Sequence, residues 1–203
     1  MHSDRKTHWE TVYKTKGPEQ VSWTQAYPKT SLEFIDSFGL EKSAKIIDIG
    51  GGDSKLVDYL LDNGFEHITV LDISAKSLEK AQKRLGKKAE MVNWIVSDIL
   101  EFEPTEVYDV WHDRAAFHFL TNQHDIKRYI EIARQSVRGY VSIGTFSEHG
   151  PKKCSGLNIK QYSETELISQ WQDGFKKISC MTEDHVTPFD TTQQFLFCSF
   201  KRQ

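Results

Sequence analysis

Apolar and polar residues follow one another along the chain in two different periods. Short apolar runs alternate with longer segments in which apolar residues recur every three or four positions. The runs are typical of buried strands, and the longer segments are typical of amphipathic helices. An alternation of strands and helices predicts an α/β fold with a mostly parallel sheet and right-handed crossovers. The predicted strands are a run ending at Asp48, a run ending at Asp72, Val92–Val96, Val107–Trp111 and Tyr140–Phe146.

Residues that start and stop helices mark the segments between these strands. Capping side chains precede the apolar periodicity in several segments, and glycines end two of them. Helices are predicted from about Leu56 to Gly64, from Ser74 or Ser77 to Gly86, from about Asp125, and from Ser163.

The last part of the chain departs from this alternation. Lys177–Val186 and Gln193–Lys201 both have an extended pattern, and no helical pattern separates them. Two consecutive strands with a short connection are expected to pair as an antiparallel hairpin. The sequence therefore predicts a seven-stranded sheet that has helices on both faces and an antiparallel C-terminal hairpin.

Residues 1–43 carry no such strand pattern. His8, Trp9, Val12 and Tyr13 recur at helical spacing, and Gly17-Pro18 ends that pattern. A helical cap over 1–43 is expected on a sheet domain over 44–203, with the whole chain 1–203 forming one domain. The aromatic residues either only pack there or form a lid over a cationic ligand, because aromatic faces attract cations.

Three glycines lie between the first predicted strand and the first predicted helix. Glycines at such a turn let the backbone approach a ligand closely. Asp48 lies just before them, and Asp72 ends the next strand in the same way. Two strand-end carboxylates beside a glycine turn suit a nucleoside, whose ribose offers two hydroxyl donors.

A dinucleotide site has similar features and must be distinguished from this one. Its fingerprint is Gly-x-Gly-x-x-Gly, and the third glycine position counted from Gly50 holds Lys55. A pyrophosphate is also disfavoured next to the acids Asp48 and Asp53. A cationic ligand with an amino-acid tail is favoured instead, and S-adenosylmethionine fits that description.

Composition narrows the class of protein. The chain has 203 residues and a net charge of −3, which provides no strong field for nucleic acid. It has no apolar run long enough to span a membrane and no apolar signal region at the N-terminus. Cys154, Cys180 and Cys198 have neither paired nor metal-ligand spacing, and their odd number, without a signal peptide, points to a reducing cytosol. A cytoplasmic monomer or weak homodimer is expected, without a metal, nucleic-acid or membrane partner.

The segment from Asp48 to Ser54 resembles motif I of the class I S-adenosylmethionine-dependent methyltransferases, and Asp72 matches the acid of their motif II. The resemblance covers the chain from about Trp9 onward. It implies a Rossmann-like fold, S-adenosylmethionine as cofactor, ribose hydroxyls bound by Asp72 and the adenine amine bound by Asp98. The cofactor-binding residues expected from the resemblance and the aromatic cluster are Trp9, Tyr13, Trp23, Asp48, Gly50, Gly51, Gly52, Ser54, Asp72, Ile73, Ser97, Asp98, Ile99 and His112.

The N-terminal aromatic pattern is similar to that of a narrower group. Trp9, Tyr13 and Trp23 resemble the same region of the methyltransferase-like lysine methyltransferases, including those acting on a translation elongation factor and on citrate synthase. Those enzymes carry an Asp-Lys-Gly-Thr type sequence after the fourth strand, where this chain has Asp113-Arg114-Ala115-Ala116. The small polar pair is missing, so the resemblance leaves the acceptor open. The Asn/Asp-Pro-Pro-Tyr motif of enzymes that methylate nucleic-acid bases is absent.

Residues that follow the fourth predicted strand are expected to face the methyl group, because ligands of open α/β sheets bind at the carboxyl ends of the strands. Methyl transfer from a sulfonium is an in-line displacement that needs alignment and, for a protonated acceptor, a base. Asp113 alternatively caps the next helix, and His118 alternatively packs in the core. The catalytic candidates are His112, Asp113, Arg114 and His118.

Three functional hypotheses follow. The leading one is methyl transfer to a small molecule or a protein side chain. A non-catalytic S-adenosylmethionine-binding module would lack an organised acceptor site, and the polar cluster from His112 to His118 argues against it. A nicotinamide-dependent oxidoreductase is disfavoured by Lys55 and by the terminal hairpin.

Overall fold

The chain forms a seven-stranded sheet with helices on both faces, in a computed structural model that describes residues 2–203. Short 3₁₀ turns occur at Pro18–Gln20, Gly86–Met91, Ile99–Glu101 and Phe117–Phe119. The helices and strands are α1 (His2–Thr15), α2 (Lys29–Ser37), β1 (Lys45–Ile49), α3 (Leu56–Asp62), β2 (His67–Asp72), α4 (Ala75–Leu85), β3 (Val92–Val96), β4 (Tyr108–Arg114), α5 (Gln123–Ser136), β5 (Val137–Phe146), β6 (Lys153–Cys154), β7 (Leu157–Asn158), α6 (Glu164–Trp171), β8 (Phe175–Val186) and β9 (Thr192–Arg202).

The strand order confirms the predicted fold class. The sheet runs β3-β2-β1-β4-β5-β9-β8. Its first five strands pair in parallel, and β9 is antiparallel to both of its neighbours, β5 and β8. The direction of the chain across the sheet reverses beside β1 and β4, so their carboxyl ends face one crevice.

Alternation along each strand fills a separate core on each face of the sheet. In β1, Ile47 and Ile49 pack with residues of α5 and α6, whereas Ile46 packs with residues of α2, α3 and α4. In β4, Trp111 lies in the first core and Val110 lies in the second. Successive side chains of a strand point to opposite faces, so neighbouring residues in the site also have opposite surroundings.

Strand β4 is longer than predicted. It continues to Arg114 because Asp113 pairs with Ile143 and Arg114 with Gly144 of β5. His112, Asp113 and Arg114 are therefore members of the strand, and none of them follows it. Because these three residues are polar, the apolar run in the sequence ends before the strand does.

The N-terminal region divides into two parts. Helix α2 buries Leu32, Phe34 and Ile35 in the same core as α3 and α4. It belongs to the layer of helices under the sheet. Helix α1, which has the predicted aromatic spacing, and the connector from residue 16 to residue 28 are the parts that cover the crevice.

The prediction that no cysteines pair is wrong. Cys180 of β8 and Cys198 of β9 form a disulfide, because the register of the hairpin places them opposite each other. Their separation of 18 residues is set by strand length, so it follows no short cysteine motif. Within residues 2–203, none of the helices has the length and apolar character needed to cross a membrane.

Candidate active site

A cavity of about 340 Å³ opens at the carboxyl ends of β1, β2 and β4. Residues of the loops after these strands form its floor, and α1 with the connector 16–28 forms its roof. This is the place where open α/β sheets bind their ligands. Three of its acids, Asp48, Asp72 and Asp98, are buried.

The glycine turn after β1 leaves no room for side chains. A Cβ on Gly50 would lie 2.5 Å from Cβ of Ala116, and one on Gly51 would lie 2.5 Å from Oδ2 of Asp48. A Cβ on Gly52 would lie 2.9 Å from the hydroxyl oxygen of Tyr13. Gly50 and Gly52 also have φ of 65° and 50°, a region that favours glycine. The turn therefore requires glycine, and Gly50 and Gly51 line the cavity without side chains.

Asp72 ends β2 as predicted and is buried beside the turn. Its Oδ1 accepts a hydrogen bond from the backbone N–H of Ser74 at 2.8 Å. Burial raises the pKa of Asp72 to about 7, and the charges of Asp48 and Glu10 act in the same direction. A carboxyl group held in this state gains from any ligand that donates hydrogen bonds to it or carries positive charge.

Asp48, His112 and Ser31 form a buried hydrogen-bonded chain. Nδ1 of His112 lies 2.7 Å from Oδ1 of Asp48, and Nε2 lies 2.8 Å from Oγ of Ser31. The carboxylate can only accept, so Nδ1 carries the proton, and in neutral His112 the Nε2 atom accepts from the serine hydroxyl. All three residues line the cavity.

Aromatic rings form the wall between the roof and the floor. Trp9 of α1 lies edge-on to Trp23 and to Phe119, with ring centroids 5.6 Å and 5.1 Å apart. Tyr13 lies 6.3 Å from Trp23 by the same measure. Such a wall excludes water and presents π-faces to a cationic centre.

Arg114 and Cys154 line the cavity on its side toward β5 and β8. Burial lowers the pKa of Arg114 to about 10 and raises the pKa of the Cys154 thiol to about 12. Cys154 therefore remains a neutral thiol near pH 7, which makes it a poor nucleophile. Arg114 remains a cation.

Asp113 and His118 lie outside the cavity, which corrects the prediction that they face the methyl group. The carboxylate of Asp113 points to the opposite face of the sheet, where it accepts from the N–H groups of Ala116 and Phe117 and from the hydroxyl of Tyr129. His118 is fully buried and stacks on Phe146, and burial lowers its pKa to about 3. Asp113 therefore holds the turn after β4, and His118 packs in the protein interior.

The remaining expected residues are brought together at one site. The cavity is lined by the expected residues Trp9, Tyr13, Trp23, Asp48, Gly50, Gly51, Ser54, Asp72, Ile73, Ser97, Asp98, Ile99, His112 and Arg114. Gly52 lies directly beneath Tyr13 and beside Asp72. In the part of the chain that the structure describes, no three His, Cys, Asp or Glu side chains lie together in a way that could hold a metal ion.

Two residues that matter here were not predicted as site residues. Ser31 reaches His112 from α2, and no motif in the sequence connects it with β4. Phe119 completes the aromatic wall from the turn after β4. The sequence Phe117-His118-Phe119 offered a signal for Phe119, but the choice between wall and core depends on the tertiary fold.

Known proteins with similar sequences and structures are methyltransferases. A family described as "Methyltransferase domain" matches residues 46–139. The chain is 23% identical over 159 residues to the eEF1A lysine and N-terminal methyltransferase of Mus musculus, covering 73% of the chain and 22% of that protein. It is 32% identical over 105 residues to the malonyl-(acyl-carrier protein) O-methyltransferase of Anoxybacillus flavithermus, covering 51% of the chain and 39% of that protein.

Solved structures show the same fold. A SAM-dependent methyltransferase from Anabaena variabilis superposes with a TM-score of 0.76 at 14% identity, covering 100% of the chain and 95% of that structure. The N-methyltransferase NodS from Bradyrhizobium japonicum, in complex with S-adenosyl-L-homocysteine, superposes with a TM-score of 0.70 at 15% identity. That match covers 88% of the chain and 89% of the NodS chain.

Proposed function

We propose that this chain, which is a class I S-adenosylmethionine-dependent methyltransferase, transfers the methyl group of that cofactor to a small-molecule acceptor. The observation that carries the proposal is one cavity in which a bare glycine turn, three buried acids and an aromatic wall meet. The chain spans less than half the length of the two relatives named above, so the activity of the whole protein is part of the proposal.

The polar and aromatic residues of the cavity match the groups of the cofactor in chemical type. Asp72 would accept from the ribose hydroxyls, Asp98 from the adenine amine, and the N-terminal aromatic wall would surround the sulfonium. S-adenosylmethionine, when bound, supplies a methyl group that is already activated by the positive sulfur. The protein then has to align the acceptor, exclude water and remove a proton where the acceptor carries one.

His112 is the residue we assign to proton removal. Asp48 fixes its tautomer, so that Nε2 is the atom able to take a proton, either from the acceptor directly or through the hydroxyl of Ser31. His112 lines the cavity, whereas the other candidate bases, Asp113 and His118, do not. A change of His112 to Gln should reduce turnover by about 10²–10⁴ and leave cofactor affinity largely intact.

The part of the cavity around His112, where the methyl acceptor would bind, is buried, and this supports a small acceptor. Ser31, His112 and Cys154 are all buried beneath the connector. A small molecule can be enclosed there, whereas a protein would have to insert an isolated side chain. One relative is named for a malonyl acceptor and another for a lysine and an N-terminus, so the names of the relatives do not agree on the acceptor.

Calorimetry with S-adenosylmethionine tests the cofactor part of the proposal. Wild type should bind, and Asp72→Ala should lose charge-assisted hydrogen bonds on the order of 1.5–3 kcal/mol each. Asp62→Ala is the matched control, because Asp62 is an exposed acid at the end of α3, paired with Lys88. Unchanged affinity in folded Asp72→Ala would contradict the assignment.

Incubation of a cell lysate with the protein and labelled S-adenosylmethionine tests the acceptor. We expect label in the metabolite fraction with wild type and much less with His112→Gln. Label confined to protein bands would replace the small molecule by a protein acceptor. Cofactor binding without labelled product in any fraction would favour the non-catalytic binding module.

A further inference from the structure

Arg114, the last residue of β4, is held at the wall of the cavity by two contacts. Its Nη1 donates to the backbone oxygen of Trp23 at 2.8 Å. Its guanidinium lies over the ring of Phe195, 4.7 Å from the ring centroid. One end of the planar group is thus fixed by the connector and one face is covered by an aromatic ring.

The other edge of the guanidinium has no acceptor. Nε and Nη2 of Arg114 are both closed off from solvent, and neither has a hydrogen-bond partner among the described residues. The closest acidic influence is Glu183, but its carboxylate is bonded to Gln25 and to Thr30. Asp48 in turn is bonded to His112.

A cation in this state is costly for the fold. A buried donor without an acceptor costs about 1–3 kcal/mol, and more when it is charged. Arg114 as a whole is half-buried and its charge lies over the ring of Phe195, so the unmet requirement is that of the two donors Nε–H and Nη2–H. The two unbonded donors of Arg114 do not stabilise the fold. We therefore look for their hydrogen-bond partner in a ligand.

The geometry of the free edge identifies that partner. Nε–H and Nη2–H lie in the plane of the guanidinium and project from the same edge, at the spacing that matches the two oxygens of a carboxylate. We propose that Arg114 binds a carboxylate of the methyl acceptor through this edge. The proposal rests on the function proposed above and adds the substrate class, a carboxylic acid.

The connector is expected to respond to binding, because Arg114 donates to the backbone of Trp23. Trp23 carries the backbone oxygen that Arg114 holds, and its ring belongs to the aromatic wall. Nε and Nη2 are closed off from solvent, so a carboxylate that reaches them requires a local movement of the residues around Arg114. Its arrival is therefore expected to alter the fluorescence of Trp23.

The test uses the full chain saturated with S-adenosylhomocysteine. Short mono- and dicarboxylic acids, malonate included, are titrated next to their uncharged amides, with binding followed by calorimetry and by tryptophan fluorescence. We expect at least one acid to bind at least about tenfold more tightly than its amide. The fluorescence change should disappear in Trp23→Phe.

Two variants separate the bidentate edge from charge alone. Arg114→Lys keeps a positive charge but loses the paired donors, and it should weaken binding of the acid by about 10- to 100-fold. Arg138→Lys is the matched control, since Arg138 is an exposed residue paired with Asp109 outside the cavity. Arg138→Lys should bind S-adenosylhomocysteine and the acid as wild type does, and the acid affinity of Arg114→Lys is measured at an S-adenosylhomocysteine concentration that saturates that variant.

Acids and amides that bind equally well to wild type, or not at all, would overturn the proposal without any variant. Acid binding that is unchanged in folded Arg114→Lys would also overturn it. Failure of the proposed function has a different signature, because wild type would then not bind S-adenosylhomocysteine.

Discussion

Side-chain size at the glycine turn controls how near the backbone of β1 comes to the turn after β4. Ala116 lies directly opposite Gly50, and the preceding residue, Ala115, has a φ of 71°. Asp113 holds this second turn through the N–H groups of Ala116 and Phe117. Two small residues on one side and glycine on the other bring two loops of the cavity floor into contact.

Gly50→Ala should abolish cofactor binding. The new Cβ would lie 2.5 Å from that of Ala116, so one of the two loops, both of which line the cavity, would have to shift. Gly39→Ala is the matched control, because Gly39 has a similar φ of 62° but no atom within 4 Å of the added Cβ. Each substitution should cost about 1–2 kcal/mol of stability from its left-handed backbone. Equal cofactor affinity in the two variants, measured by calorimetry, would contradict this account of the turn.

Asp113→Ala should destabilise the protein more than it impairs the chemical step. Three donors would lose their acceptor in a fully buried position, which corresponds to about 2–4 kcal/mol. Denaturant unfolding measures this loss. Asp173→Ala provides the comparison, since that carboxylate is exposed and should change stability little. Normal stability combined with lost turnover would restore the catalytic role that the sequence suggested for Asp113.

Helix α1 is the element that distinguishes this cavity from an open crevice. It contributes Trp9 and Tyr13 to the wall, and Glu10 accepts the N–H of Ala75 at the start of α4 at 2.6 Å. Arg5 pairs with Asp125 at 2.9 Å at the other end of the helix. These polar contacts hold α1 in place, although the helix contributes little to the hydrophobic core.

Removal of residues 1–16 should leave a folded sheet that binds S-adenosylhomocysteine at least about tenfold more weakly. The core would lose Val12 but keep the buried residues of α2, so the thermal transition should remain cooperative. Circular dichroism and calorimetry measure the two quantities. Within the full chain, Trp9→Ala should reproduce the weaker binding and Trp94→Ala, a tryptophan outside the cavity, should not. Unchanged affinity for S-adenosylhomocysteine after truncation would show that α1 only packs on the domain and does not contribute to binding.

The order of elements and the acids of the site could be predicted from sequence because both depend on local patterns. Asp48 and Asp72 end apolar runs, and parallel strands bring such ends to one edge. The opposite orientations of His112, which lines the cavity, and Asp113, which points to the other face of the sheet, could not be predicted in the same way. It depends on the length of β4, and a strand that continues by one residue sends the next side chain to the opposite face.

The buried charges of the whole molecule titrate in opposing directions. Burial raises the pKa of Asp72 to about 7 and of Asp113 to about 6, so each is more readily protonated in the folded than in the unfolded chain. Their contribution to stability is present below their ordinary pKa of 3.8 and is lost as pH rises through these values. Burial lowers the pKa of His118 to about 3, so its contribution is lost as pH falls below its ordinary value of 6.5.

These opposing contributions partly offset each other in the stability of wild type, but a difference between variants isolates Asp72. Asp72→Asn keeps the shape of the side chain and removes its titration. Between pH 4 and pH 8, wild type should lose stability relative to Asp72→Asn by no more than about 4 kcal/mol, the equivalent of a pKa change from 3.8 to about 7. Chemical unfolding at several pH values measures the difference, and a difference that is constant with pH would place the Asp72 pKa near its ordinary value.

Cofactor affinity should depend on the same proton. An ionised carboxylate accepts two ribose hydroxyl bonds better than a protonated one and attracts the sulfonium, so S-adenosylmethionine binding should strengthen as pH rises from about 6 to about 8. Reciprocally, the bound cofactor should lower the pKa of Asp72, because binding and ionisation favour the same state. Asp72→Asn should bind more weakly and with a flatter pH profile. The residual slope of that variant reports the other titrating groups, including the amine of the cofactor. If wild type and Asp72→Asn had parallel profiles, Asp72 would not be the acid that meets the ribose.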